Sequence, residues 1–468
     1  MAARWGVPLD EIPQLGDRFY NFSERFRPFM QTKTHDTSAY GVEYVSGLLR
    51  LATKRTITEI SRQTGIASQN MQQFISDSPW AGAKLMEAVQ NEVKVHPAFA
   101  EAVAVIDESA EVKAGEHSVG AGRQYNGRLG KVEMSQVGVF LALVTPQVNL
   151  WVDGELFVPQ AWFEPGQASK RQRVGLPDER RFQSKPELAW ELLHRARRNG
   201  LPFVAVTMDD LYGRNQPLCR RLDEAGIEYY GDIPANSVVY LDCPRVKTRL
   251  TKRGKPAKKK RIIAQHRSKV RDLLDHPAVT WANLTVRPTE RGQLSAEWGR
   301  LRVWLVEGER SYQRWLLIRR EPKQVTYCLS NAPVKTSLAT MAWRKSHRAF
   351  IECSNHDGKD EFGWDEFQAT KYRAWQHQLA LTILAAWFVA ETRLDWQTRF
   401  APDPHLLAHY EADLLPLLSV SNVRILLRAA MPLPQLTPEK ATTLVIEHLL
   451  NRTRSRQSRL RHAPGPET

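Results

Sequence analysis

Two apolar runs in the first half of the chain each lead into an aspartate. Val103–Ile106 is followed by Asp107, and the largely apolar run Phe203–Met208 is followed by Asp209. Continuous apolar runs are typical of strands buried on both faces, and ligand-binding residues of α/β sheets collect where such strands end. The pattern therefore predicts two sheet strands, each ending in an aspartate placed as a metal ligand would be.

Between and before these runs, the pattern predicts further elements. Apolar residues separated by glycine and asparagine turns predict three adjacent antiparallel strands over residues 102–144. Ser184 stands three residues before Glu187, a spacing typical of a capped helix start, and Asn199-Gly200 predicts the end of that helix. Within residues 41–80, a short helix, a turn at Gly65 and a second helix form a helix-turn-helix candidate. The alternative is a helical hairpin that only packs on the next domain.

A third acidic residue lies in a stretch with helical spacing. Arg348, Glu352 and Lys359 are four and then seven residues apart, which at about 100° per residue predicts one helical face. Asp210 competes with Asp209, since neighbouring strand residues face opposite sides. Glu361 competes with Glu352 but lacks an arginine four residues earlier, and is interpreted as an exposed helix residue. Together, two strand-end aspartates, one helix glutamate and two cations form a candidate phosphodiester-cutting site.

These residues carry a resemblance to a known family. Arg348-x3-Glu352-x6-Lys359 resembles the R-E-K part of the Y-R-E-K signature of cut-and-paste insertion-sequence transposases, which belong to the DDE, RNase H-like superfamily. The stretch 209–213 resembles the D-x-x-Y-G motif of that group, and 107–109 its first-aspartate motif. The resemblance covers roughly residues 40–395. Lys345 stands where the signature has a tyrosine, and a lysine could supply the phosphate contact of that tyrosine.

The resemblance implies an α/β fold, in which an RNase H-like catalytic core is interrupted by a largely β insertion domain, with helical N-terminal and C-terminal regions. The stretch from Asp209 to Glu352 is too long for one connection inside a sheet, which also indicates an insertion. The predicted divisions, in chain order, are a helical DNA-binding region (1–97), the first part of the core (98–232), the inserted domain with a basic segment (233–340), the second part of the core (341–395), a helical region (396–450) and a basic disordered tail (451–468).

The resemblance also implies the chemistry. Asp107, Asp209 and Glu352 would hold two Mg²⁺ ions, for which Mn²⁺ is the expected substitute, because carboxylate oxygens suit such cations and a metal pair can clamp the attacking and leaving oxygens. Arg348, Lys359 and Lys345 would bind DNA phosphates. The implied partners are double-stranded DNA, as transposon ends and target, and a second copy of the chain on paired ends. The implied reaction is end cleavage through a hairpin intermediate, followed by strand transfer.

Two tryptophans of the predicted insertion, Trp298 and Trp304, are candidates for contact with an unstacked base. The alternative, that each is a core residue of a β domain, is the more common situation for tryptophan.

Charge agrees with a nucleic-acid partner. The 468-residue chain carries 66 Lys and Arg against 51 Asp and Glu, a net charge of +15, and such an excess favours polyanions. Residues 245–271 contain 13 Lys and Arg and no acidic residue. The centre of this segment is predicted to bind phosphate and consists of Lys258, Lys259, Lys260 and Arg261. The tail from Asn451 carries five further arginines.

Several function classes are disfavoured. The apolar run Leu379–Ala390 is shorter than the roughly 20 residues that span a bilayer, no signal peptide is expected, and the cytoplasm, with nucleoid association on DNA, is the predicted location. Four cysteines without C-x-x-C spacing indicate neither zinc nor disulfides. Gly122–Gly127 has phosphate-loop glycine spacing without the following Lys-Ser/Thr. Two hypotheses remain: an active transposase, favoured by the three carboxylates, and a catalytically silent DNA-binding regulator, favoured only by Lys345.

Overall fold

The computed structural model describes residues 2–127, 129–247, 261–289, 292–368, 370–411, 415, 417–433 and 437–461. Its strands are β1 Val103–Val112, β2 Gly122–Asn126, β3 Lys131–Val144, β4 Asn149–Phe157, β5 Ala205–Met208, β6 Tyr229–Ile233, β7 Val238–Tyr240, β8 Arg245–Lys247, β9 Arg261–Ile263, β10 Arg267–Lys269, β11 Thr280–Thr289, β12 Gly292–Glu307, β13 Arg310–Glu321 and β14 Gln324–Ser330.

The α-helices precede, interrupt and follow the strands. They are α1 Leu15–Glu24, α2 Ser38–Arg50, α3 Ile57–Thr64, α4 Ser68–Ser76, α5 Gly82–Val93, α6 Ala168–Arg173, α7 Lys185–Arg198, α8 Asp210–Gly213, α9 Gln216–Glu224, α10 Leu338–Ser346, α11 Phe350–His356, α12 Tyr372–Arg399, α13 His405–His409, α14 Val420–Ala430 and α15 Pro438–Arg461. Within the described residues, none of these helices has the length and apolar character needed to cross a membrane.

One large mixed sheet organises the molecule. Its strands follow the order β10-β7-β12-β13-β14-β6-β5-β1-β3-β2, with β11 added on β12 and β4 on β3. Strands β1, β5 and β6 are parallel neighbours, whereas β14 pairs with β6 in the antiparallel sense. Helices α1–α5 come before the sheet and α12–α15 after it. The predicted α/β class, with a large mixed sheet and helical terminal regions, is confirmed.

The two apolar runs form the buried centre of this sheet. Val103 pairs with Ala205 and Ile106 with Met208 in parallel register, and these four side chains are fully buried. The predicted meander differs in its pairing, because β3 lies between β1 and β2 and also pairs with β4, a strand that the sequence analysis missed. Gly122–Asn126 is strand β2 rather than a phosphate-binding loop.

Local sequence signals explain several helix ends. Ser184 and Glu187 form a reciprocal capping box at the start of α7, as predicted. Gly65 adopts φ 74° between α3 and α4, a left-handed conformation that glycine accepts without a steric penalty. The predicted helix, turn and second helix are therefore present as α3, Gly65 and α4, and their contact with DNA stays a prediction.

The strands between residues 233 and 340 extend the sheet of the core. Strand β14 hydrogen-bonds directly to β6, so the sheet continues through the stretch predicted as an insertion. Trp298 of β12 is only 1% exposed, in a cluster with Ala296, Trp315 and Met341. A base cannot reach a side chain packed in this way, so the predicted base contact is wrong for Trp298; Trp304 is half-buried and its contact stays a prediction.

The basic segments are only partly described. Lys258, Lys259 and Lys260 lie outside the described residues, and Arg261 begins β9, opposite Lys247 of β8. At the other end of the chain, α15 continues through the arginine-rich stretch to Arg461. The predicted disorder is therefore wrong for residues 451–461, because the helical pattern of the preceding turns continues through the arginines, which have good intrinsic helix propensity.

Gly213 of α8 packs closely against Gly231 of β6, near the strand end that leads into Asp209. A Cβ atom built on Gly213 of α8 would lie 2.6 Å from the carbonyl carbon of Gly231 in β6 and would collide with the backbone oxygen of Asp232. Both partners are backbone atoms of a buried strand, so they have little room to move away. Glycine is required at position 213 for this reason, not for a positive φ.

We expect Gly213→Ala to lower the free energy of unfolding by about 3 kcal/mol, because overpacking against backbone forces α8 away from β6. Gly166→Ala is the matched control, since a Cβ atom at Gly166 would meet nothing within 4 Å, and a shift below about 0.5 kcal/mol is expected. Urea unfolding followed by circular dichroism measures both. Equal transition midpoints for the two variants would contradict the close contact.

Candidate active site

The parallel register of β1 and β5 brings two aspartates together. Ile106 lies beside Met208, so the residues that follow, Asp107 and Asp209, lie side by side where β5 ends. The predicted strand end is wrong for Asp107, because β1 continues in its pairing with β3 as far as Val112. Asp209 also caps α8, because its Oδ1 accepts hydrogen bonds from the backbone N–H of Leu211 at 2.9 Å and of Tyr212 at 3.4 Å. The position of Asp209 is therefore set by a strand end and a helix start together.

A third carboxylate joins them. One oxygen each of Asp107, Glu108 and Asp209 lie within 4.8 Å of one another, and all three residues are partly buried. Sequence reasoning missed Glu108, because strict alternation along a strand would place it on the face opposite Asp107. The only signal for it was its position inside the Asp107-Glu108-Ser109 motif.

The electrostatics of this carboxylate cluster favour a cation. Burial, opposed by Arg348 and reinforced by the charges of Glu108 and Asp209, raises the pKa of Asp107 to about 7. Burial and the nearby Glu108 likewise raise the pKa of Asp209. A divalent cation between such groups removes their mutual repulsion and favours their charged forms. Three carboxylates also supply the oxygen donors that hard cations such as Mg²⁺ require, so the residues fit a metal of this class.

Asp210 points elsewhere. Its side chain is 52% exposed and lies 4.0 Å from Arg214 one helical turn later. The structure thus brings Asp209, and not Asp210, into the carboxylate cluster.

Glu352 lines the same cleft but stands apart from the cluster. The cleft has a volume of about 810 Å³ and is lined by Asp107, Asp209, Arg348 and Glu352, among others. The Glu352 side chain is 76% exposed, and its Oε1 lies 4.0 Å from Nη1 of Arg348. Among the described residues, the close carboxylate group does not include Glu352. The structure therefore places Glu352 at the rim of the cleft.

Lys359 lines the same cleft as Arg348 and Glu352, although the backbone between them is not a regular α-helix. The stretch changes from α11 to a π-helix at Asp357–Glu361, and the wider π turn rotates the residues that follow it. The ammonium of Lys359 lies 2.6 Å from Oε1 of Glu111, and its side chain is 11% exposed. The charge of Lys359 is therefore already paired at the cleft, and its contact with DNA phosphate stays a prediction.

Asp232 of β6 contacts two cations, Lys345 and Arg348, of which Arg348 lines the cleft. Nζ of Lys345 lies 2.9 Å from Oδ1 of Asp232, and Nε of Arg348 lies 3.8 Å from Oδ2. Arg348 also acts on Asp107 and Asp209 by lowering their pKa values against the effect of burial. Arg348 is thus positioned between Asp232 and the carboxylate cluster, whereas Lys345 is a mostly buried anchor.

Glu361 is not an exposed helix residue. Its side chain is 15% exposed and pairs with the buried guanidinium of Arg424. The prediction of an exposed position is wrong, because Arg424 of α14 is a partner that local spacing could not reveal. The pairing also removes Glu361 as a competitor of Glu352.

Comparison with known proteins decides the family. The family described as DDE superfamily endonuclease matches residues 25–296, more than half of the chain. The chain belongs to this family. It is also 24% identical over 334 residues to the "Probable transposase for insertion sequence element IS701" of Microchaete diplosiphon, an alignment that covers 68% of this chain and 73% of that relative.

Membership of this family relates the carboxylate cluster to a known class of enzyme. A DDE endonuclease is an enzyme that uses divalent metals, and Asp107, Glu108 and Asp209 all lie within the matched residues 25–296. The predicted enzyme class and insertion-sequence transposase family are confirmed, and DNA as substrate follows from the family. The match ends before Arg348, Glu352 and Lys359. The Y-R-E-K subgroup and the roles of these three residues therefore stay predictions.

Proposed function

We propose that this DDE endonuclease is a transposase that cuts the ends of an insertion element and joins them to target DNA. The observation that carries the proposal is the meeting of Asp107 and Asp209, from strands remote in sequence, in an open cleft that also contains Arg348 and Glu352. A catalytically silent regulator has no need of such a cluster, and only Lys345 at the tyrosine position of the signature favours it.

In this proposal Asp107 and Asp209 hold the metal ions from the sheet, and Glu352 completes the site from α11. When bound, a pair of Mg²⁺ or Mn²⁺ ions stabilises negative charge on the attacking and leaving oxygens. Glu352 would have to approach the cluster, which its exposed side chain at the cleft rim allows. Arg348 would bind a phosphate beside the cut bond, because it lines the cleft and is close enough to both aspartates to lower their pKa values.

The remaining features support binding of long DNA. The α3–α4 pair would contact the element ends, and its second helix exposes the amide side chains of Gln69 and Asn70, of the kind that pair with adenine edges. The segment Lys258–Arg261 would bind backbone phosphates. A hairpin intermediate, strand transfer and a second copy of the chain on the paired ends complete the proposed reaction, carried out in the bacterial cytoplasm on nucleoid DNA.

The purified chain should cut its own element ends only with a divalent metal. Labelled duplexes carrying the inverted repeats that flank its gene are incubated with Mg²⁺, with Mn²⁺ or with EDTA, and a duplex with a scrambled repeat is the control. We expect cleavage at one defined phosphodiester with either metal, and none with EDTA. Specific binding of the repeat without cleavage in either metal would instead support the silent regulator.

A further inference from the structure

Glu108 contacts the neutral hydroxyl of Tyr212 and the ammonium of Lys185. A second cation could take the place of that ammonium. Oε2 of Glu108 accepts a hydrogen bond from the hydroxyl of Tyr212 at 2.8 Å, and Oε1 lies 2.9 Å from the ammonium of Lys185. The Tyr212 side chain is fully buried, so its hydroxyl is a fixed neutral donor. Lys185, in contrast, competes directly with any other cation for the charge of Glu108.

Lys185 stands at the wall of the catalytic cleft. It is the first residue of α7 and lies directly after the N-cap Ser184, within the Ser184–Glu187 capping box that fixes this helix start. Its side chain is 20% exposed, its ammonium lies 5.8 Å from the centre of the Phe157 ring, and it lines the same cleft as Asp107 and Asp209. A lysine on a four-carbon stem can turn within such a cleft while its backbone stays fixed.

We propose that Glu108 exchanges partners, from Lys185 in the DNA-free protein to a divalent cation held with Asp107 and Asp209, and that the released Lys185 ammonium binds a DNA phosphate in the cleft. The phosphate half of this proposal rests on the proposed function; the exchange itself does not. Tyr212 keeps its hydrogen bond to Glu108 in both states and so positions the carboxylate throughout.

A purely structural ion pair makes a different prediction. If Glu108 only anchored the start of α7, replacing Lys185 would leave metal affinity unchanged. If the two cations compete, removing the ammonium must strengthen metal binding, whereas removing the carboxylate must weaken it. Opposite changes in metal affinity for the two substitutions therefore distinguish competition between the cations from a purely structural ion pair.

The test is a calorimetric titration of Mn²⁺ into the full chain without DNA. We expect Lys185→Gln to bind Mn²⁺ about fivefold more tightly than the wild type, and Glu108→Gln about tenfold more weakly, as loss of one charge interaction allows. Lys170→Gln is the matched control, since Lys170 lies 3.8 Å from Glu116 and stacks over Trp162, away from the residues that line the cleft. Its affinity should equal that of the wild type.

Unchanged or weaker binding by Lys185→Gln would overturn the exchange. Thermal unfolding of each variant identifies any that fail to fold, and Lys185→Gln alone decides the question if Glu108→Gln is lost. On end DNA, Lys185→Gln should raise the KM for DNA despite its tighter metal binding; an unaltered KM overturns the phosphate role. A wild type that binds Mn²⁺ but never cuts would refute the proposed function while leaving the titration valid.

Discussion

Glu352→Gln is expected to reduce metal-dependent cleavage of element-end DNA about 1000-fold or more, because the amide cannot supply the charged ligand that the metal pair requires. Binding of the same DNA in a gel shift should stay within about twofold, since the exposed Glu352 side chain contributes little to the surface charge that attracts phosphates. Parallel cleavage and gel-shift assays on one preparation measure both quantities.

Asp360→Asn provides the matched control. Asp360 also lines the cleft, its side chain is 57% exposed, and it lies 2.9 Å from Nε2 of His356. The control therefore removes the same charge from the same cleft without touching the proposed ligand, and near-wild-type cutting is expected. Undiminished cutting by Glu352→Gln would remove α11 from the site and leave the three clustered carboxylates as the acidic set.

Asp209→Asn should have an equally large effect, a loss of cleavage of about 1000-fold or more, for the same chemical reason. Asparagine is as good a helix N-cap as aspartate, so the hydrogen bonds from Leu211 and Tyr212 to residue 209 should survive. The expected result is therefore a folded protein that binds end DNA and does not cut it. Cleavage rates and the thermal unfolding midpoint together separate this outcome from a folding defect.

The neighbouring substitution Asp210→Asn tests the register. Asp210 is half-exposed and near Arg214, so cleavage should remain within about twofold, as for most exposed substitutions away from special features. If Asp210→Asn lost activity and Asp209→Asn kept it, the register of β5 against β1 would be in error by one residue.

The sequence predicted the positions of Asp107 and Asp209 because buried strands appear in a sequence as continuous apolar runs. Val103–Ile106 and Phe203–Met208 must be apolar to lie inside a sheet, and Asp107 and Asp209 follow directly. The α/β class rested on the same signal, together with the capped start of α7 at Ser184. These features depend on local periodicity and on chain order, which a single sequence contains.

What the sequence missed depends on geometry that spacing does not encode. Helical spacing assumed a constant 3.6 residues per turn, and the sequence did not predict the π-helix at Asp357–Glu361 that carries Lys359. For Trp298 the sequence left base contact and a core position open, because the residues that bury it come from neighbouring strands and from α10, far along the chain. Glu108 lies in the middle of β1, and side-chain alternation along a strand does not predict its approach to the two aspartates.

Strand β6 connects the outer strands of the sheet to the strands near the carboxylate cluster. It bonds to β5 on one side and to β14 on the other, and its Asp232 holds both Lys345 and Arg348. Backbone hydrogen bonds, rather than a flexible tether, thereby join the strands beyond β14 to the strands that carry Asp107 and Asp209. DNA held against those outer strands would lie at a constant distance from Asp209, and if Asp209 acts in cleavage as proposed, the frame of the protein sets the length of duplex between the anchored position and the cut.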